Sequence, residues 1–119
     1  MSDGLSWTVT PKSPQYVLQG SDISLTWDYE LAPGETTSGF FQIIWAKKEA
    51  NKWNNLAINS LQSGISILKD KEHISVDRNK KATLIITNVT EVHHALYRCT
   101  IDSITSLPSE TVELIVLSK

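Results

Sequence analysis

Apolar and polar residues alternate along most of this chain with a period of two. Ile23, Leu25, Trp27 and Tyr29 alternate with polar neighbours, the pattern of a strand with one face buried. Across residues 40–48, Phe41, Ile43 and Trp45 share one face, and Phe40, Gln42, Ile44 and Ala46 the other. The same rhythm predicts strands at residues 5–10, at 82–88 around Leu84 and Ile86, and at 95–103 around Ala95, Tyr97, Cys99 and Ile101. It predicts another at 112–117, with Val112, Leu114 and Val116 opposite Glu113, Ile115 and Leu117. Short apolar runs at 16–18, 56–58, 65–68 and 74–76 add four strands, and the polar stretch 47–54, with Trp53 inside it, reads as a connection. Turn residues punctuate these segments, and no helical apolar stripe of useful length occurs. This is the pattern of an all-β sandwich.

The run from Leu84 to Cys99 is the most distinctive. It carries Asn88-Val89-Thr90 and places Tyr97 two residues before Cys99. It resembles the corner between strands E and F of immunoglobulin-type domains, where that Tyr bonds back to the upstream backbone. His93 stands where that family usually has Asp, and Ala95 where it usually has Gly. Gly20, Ile23 and Leu25 match the family's strand B, and Trp27 falls at the position of its first Cys. Trp45 followed by Lys47 is similar to its strand C. The resemblance covers nearly the whole chain. It implies that residues 1–119 form a single all-β, immunoglobulin-like two-sheet sandwich, V-set-like, with 56–58 and 65–68 as strands C′ and C″. The strand-G Gly-x-Gly bulge of antibody variable domains is missing.

The chain holds one cysteine, so the sandwich lacks its inter-sheet disulfide. Such a cross-link contributes roughly 4 kcal/mol in the chain-entropy model. Trp27 is expected to offset part of that loss by burying a large aromatic. Trp27, Trp45, Tyr97 and Cys99 are the expected structural core, with Cys99 an inert thiol.

Composition narrows the function. The chain has 119 residues and a net charge of −2 with mixed signs, which argues against a nucleic-acid partner or a membrane-surface role. No run of about 18 apolar residues occurs, and the start lacks a basic, apolar leader. An excised piece of a secreted or anchored parent is expected. There is no phosphate loop, no nucleophile set and no metal-ligand spacing among His73, His93 and His94. No enzyme activity, cofactor, metal or small-molecule substrate is expected. Arg78, Lys80 and Lys81 read as a solvated turn. His93 is expected either to pair with Glu72, in a corner that weakens as pH rises through a raised histidine pKa, or to be solvated like His94. Asn88 opens the only Asn-x-Ser/Thr sequon and is a glycosylation candidate.

With Trp45, Tyr97 and Leu114 inward, Phe40, Gln42, Ile44, Leu96, Arg98, Thr100, Glu113 and Ile115 fall on one outward face of strands G, F, C and C′. An apolar face of that kind marks an interface. The immunoglobulin resemblance implies a protein partner, another copy of the same domain, in an extracellular adhesion module of a membrane-anchored receptor. The overall run of residues is similar to the distal domains of hydroid allorecognition receptors, which bind like to like. The competing expectation is a structural, intermediate-type module of a cytoskeletal or muscle protein, which suits a lone buried cysteine. A third is ligand capture through the loops at 32–39 and 103–109.

Overall fold

The computed structural model describes residues 5–30, 41–77, 79, 82–103 and 106–118. Its strands are β1 (Ser6–Val9), β2 (Gln15–Leu18), β3 (Ile23–Thr26), β4 (Asp28–Glu30), β5 (Gln42–Glu49) and β6 (Lys52–Ser60). They continue as β7 (Gly64–Ile67), β8 (Ile74–Val76), β9 (Thr83–Ile86), β10 (Ala95–Asp102), β11 (Ser106–Pro108) and β12 (Val112–Leu117). One 3-10 turn, Glu91–His93, lies between β9 and β10.

The larger sheet runs β2-β12-β10-β5-β6-β7, with β11 paired to β10. A three-stranded sheet, β3-β9-β8, faces it, and β1 pairs with β4. The pairing of β2 with β12 is parallel and every other pairing is antiparallel. Alternation explains the core directly. Phe41 just ahead of β5, Ile43 and Trp45 of β5, Tyr97, Cys99 and Ile101 of β10, and Val112 and Leu114 of β12 point inward. They form one buried cluster with Leu25, Trp27, Ile74, Val76, Leu84 and Ile86. Each such aliphatic side chain contributes about 1.5–3 kcal/mol relative to exposure.

Three elements differ from the sequence expectation. Residues 23–29 do not make one strand. β3 pairs with β9 and β4 pairs with β1, and between them Trp27 donates its backbone N–H to the Ala82 carbonyl at 3.2 Å. The strands expected to end at 48 and to resume at 56 run on through the polar stretch 47–54 as a hairpin. β5 and β6 pair out to Glu49 and Lys52, joined by Ala50 and Asn51 at φ +50° and +67°. Two left-handed residues make a type I′ turn, whose twist suits a hairpin, and without a glycine it carries no hairpin signal.

The third difference is a bulge in β6. Trp45 pairs with Ala57 and Ala46 with Asn55, leaving Leu56 as the extra residue. Leu56 and Ala57 are therefore both buried. The bulge inverts the alternation of the strand, because a one-residue shift moves every side chain beyond it to the opposite face. Trp53 is thereby turned to the outside of the sheet.

Candidate interaction face

The outer face of β12, β10, β5 and β6 is built from aligned rows. Leu96 stands beside Glu113 on one side. Thr100, Ile44 and Ile58 form a row across β10, β5 and β6. Asp102, Gln42 and Ser60 form the next, and the Gln42 amide donates to the Asp102 carboxylate at 3.4 Å. Gln42, Ile44, Leu96, Arg98, Thr100 and Ile115 are half-buried, and Glu113 is exposed. Ile115 lies away from these rows, beside the exposed Tyr16 of β2. Phe40 lies outside the described residues.

The centre of this face is a stack that alternation alone does not reveal. The guanidinium of Arg98 lies 4.3 Å from the centroid of the Trp53 ring. Arg98 is on β10 and Trp53 on β6, so the contact crosses the intervening β5. It crosses at Ala46, the register partner of Arg98. Ala46 points outward, yet only 4% of its surface is accessible. Its outward orientation follows the alternation, and the Arg98–Trp53 stack crosses over its methyl group. The Arg98 side chain forms no hydrogen bond or ion pair among the described residues, and its Nε is buried without an acceptor.

On the inner side, Lys47 is buried. Its ammonium donates to the Val92 carbonyl in the 3-10 turn and lies 3.3 Å from the Glu49 carboxylate. Glu49 also accepts from the Asn54 amide at 2.8 Å. That hydrogen bond, and next the Lys47 charge, hold the Glu49 carboxyl below the usual carboxylate range.

The corner beneath the face is a closed polar network. The Tyr97 hydroxyl donates to the His93 carbonyl at 2.6 Å. His93 is 1% exposed. Its Nδ1 accepts from the Thr90 backbone N–H at 2.9 Å, and its Nε2 meets Asp70 Oδ2 at 2.8 Å. The carboxylate partner is Asp70 and not Glu72, because the tight turn ahead of β8 places Asp70 at φ +56° with its carbonyl accepting from the N–H groups of His73 and Ile74. His94 is exposed, and its Nδ1 accepts from the Val116 N–H at 3.2 Å. Among the described residues no group of His, Cys, Asp and Glu is arranged to hold a metal ion.

Trp27, Trp45, Tyr97 and Cys99 lie in the same buried cluster. Burial pushes the Cys99 thiol well above its ordinary range, and burial likewise pushes the Tyr97 hydroxyl up. Asn88 is exposed at φ +49°, and its N–H donates to Asp22 Oδ1 at 2.9 Å. The loop 32–39 and residues 78, 80 and 81 lie outside the described residues, as do 104 and 105 within the loop 103–109. Sequence reasoning missed Trp53, Asp70 and the inner anchor of Lys47. The only early signal for Trp53 was a large aromatic inside an otherwise polar stretch.

No family model matches the chain, and no curated protein matches it. Among solved structures 1572 chains match, a likeness so widely shared that it specifies architecture and not partner. Murine CRIg superposes with a TM-score of 0.72 at 14% identity, covering 95% of this chain and 98% of that one. Drosophila OTK extracellular domains 3-5 superpose with a TM-score of 0.71 at 18% identity. This chain is covered over 98% of its length, and that chain over 37%. At such identities the likeness is one of fold. The chain is an all-β, immunoglobulin-like two-sheet sandwich, held without an inter-sheet disulfide.

Proposed function

We propose that this domain is an extracellular recognition module of a membrane-anchored receptor, binding a second copy of itself through the outer face of β12, β10, β5 and β6. The carrying observation is that face: Ile44, Leu96 and Ile58 around the Arg98–Trp53 stack, rimmed by Glu113 and Asp102. Aromatic and Arg anchors beside aliphatic side chains are the composition of an interface centre. The strand order supports a variable-type domain, in which two strands extend the sheet beyond the one equivalent to β5. The partner-binding residues are Gln42, Ile44, Leu96, Arg98, Thr100 and Glu113, with Ile115 at the margin, and Phe40, outside the described residues, is assigned to the same set. Self-recognition of the allorecognition kind is the specific form we assign. Asn88, exposed on the corner, suits a glycan on a secreted chain.

The test is sedimentation of the purified domain over a wide concentration range, beside the Ile44→Glu and Leu96→Arg variants. Concentration-dependent dimers in the parent, lost in both variants, are expected. Monomers at every concentration would overturn like-to-like binding. A second reading, a structural module in a reducing compartment, draws on the free buried thiol of Cys99. A glycan on Asn88 of the chain expressed with a secretion leader would argue against it.

A further inference from the structure

Arg98 and Asp102 stand on the same outward face of β10, two residues on either side of Thr100. A strand rises about 3.3 Å per residue, so their backbones are about 13 Å apart and they do not reach one another. Neither charge has a charged partner among the described residues. Among the described residues the Arg98 guanidinium stacks on the Trp53 ring without a hydrogen bond, and the Asp102 carboxylate receives the Gln42 amide at 3.4 Å. The guanidinium is held over the Trp53 ring, and no hydrogen-bond acceptor among the described residues takes its donors. A guanidinium fixed in this way is prepared for a carboxylate arriving in its plane.

The row between the two charges is uncharged and crosses three strands: Thr100, Ile44 and Ile58. From this arrangement we infer that the domain pairs face to face about a two-fold axis lying along that row, with Arg98 of each copy on Asp102 of the other. This rests on the function proposed above and specifies its geometry. A two-fold axis in the plane of contact and across the strands maps the row onto itself and sets Ile44 and Ile58 against their own copies. It exchanges positions equally spaced above and below the row, and Arg98 and Asp102 are equally spaced. Two identical ion pairs therefore form at once, as an isologous interface requires. Packed sheets commonly cross at about 30°, which tilts the axis by half that angle and stays within the reach of an arginine side chain. Both charges, without a charged partner among the described residues, are satisfied by the one operation.

Charge reversal tests the register. Arg98→Glu and Asp102→Arg should each weaken self-association at least about tenfold, since each creates two like-charged contacts. An equimolar mixture of the two single variants should associate again, as a heterodimer in which both contacts join opposite charges. The double variant should also associate. Circular dichroism and thermal melts check that each variant is folded. A structural role for Arg98 through its Trp53 stack alone gives no recovery on mixing. If Ile44→Glu abolishes dimers while mixing fails to restore them, the face is used in another register. This inference then fails and the proposed function stands. If the parent domain never self-associates, both fail.

Discussion

Asp70 and His93 are joined by a 2.8 Å hydrogen bond between Oδ2 and Nε2, across 23 residues of sequence. The bond fixes the chemistry of the ring. Nδ1 accepts from the Thr90 N–H, so it carries no proton, and Nε2 must donate. A neutral imidazole satisfies both contacts, and it packs edge-to-face with the His73 ring, the centroids 4.9 Å apart. The carbonyl of the same residue accepts the Tyr97 hydroxyl. One buried histidine thus ties the turn before β8, the 3-10 turn and the start of β10 together.

The first prediction concerns this tie. Asp70→Ala leaves a donor buried inside the corner without an acceptor, at a cost of about 1–3 kcal/mol. Asp70→Asn keeps an oxygen acceptor and tolerates the positive φ, and should lose less than half as much. Nitrogen chemical shifts of the imidazole should show the Nε2–H tautomer in the parent protein. An Nδ1–H tautomer would refute the arrangement.

The hairpin turn offers a gain. Ala50 sits at φ +50°, where a Cβ costs on the order of 1 kcal/mol that glycine avoids. Ala50→Gly should raise the stability measured in urea by up to about 0.5 kcal/mol after the loss from a more flexible unfolded chain. A decrease would show that the Ala50 methyl packs usefully.

Alkaline stability follows from Cys99. The folded thiol ionises far above the unfolded one, whose ordinary value is 9.0. Below that value both states hold the proton and the stability is intact. As pH rises above it, the unfolded chain loses a proton that the folded chain keeps, and stability falls by up to about 1.4 kcal/mol per pH unit. Tyr97, also raised by burial, adds to the fall above 10.0. Urea midpoints from neutral to alkaline pH should show the decline starting later in Cys99→Ala. The native thiol should not react with thiol reagents until the domain unfolds.

Restoring the missing cross-link is the fourth test. Trp27, directly after β3 of the smaller sheet, and Cys99, in β10 of the larger one, belong to the same core. Folded under oxidising conditions, the Trp27→Cys variant should contain no free thiol. The lost indole costs about 3–5 kcal/mol and the disulfide contributes roughly 4, so the oxidised variant should approach the parent in stability and the reduced one fall well below it. Two free thiols in the folded protein would separate the two positions.

What the sequence made legible were features whose cause is local. The alternation around Ile23–Leu25, Phe41–Trp45 and Val112–Leu114 is set by the pleat, and it survives in the structure because each strand buries one face. The Tyr97-x-Cys99 spacing carries the corner, since the hydroxyl reaches only four residues back. What stayed hidden depends on register. Trp53 faces outward only because Leu56 is an extra residue in β6, and nothing in the composition of residues 52–60 marks that insertion. The Ala50–Asn51 turn has no glycine to announce it. Asp70, not Glu72, is the partner of His93, in a turn that holds Asp70 at a left-handed φ, a conformation that residue type alone does not encode. The split of residues 23–29 at Trp27 reflects two different neighbours, β9 and β1, that only the assembled sheets define.

The parallel pairing of β2 with β12 has a mechanical consequence. Their register joins Gln15 to Leu114 and Leu18 to Leu117, near the two ends of the chain. Tension applied between those ends pulls the two strands along one another, so their hydrogen bonds are loaded together in shear and do not unzip singly. Once they part, no covalent link between the sheets stops the extension. The segment from Gln15 to Leu117 is then free to lengthen toward roughly 350 Å, which makes this short parallel ribbon the tension-bearing latch of the domain.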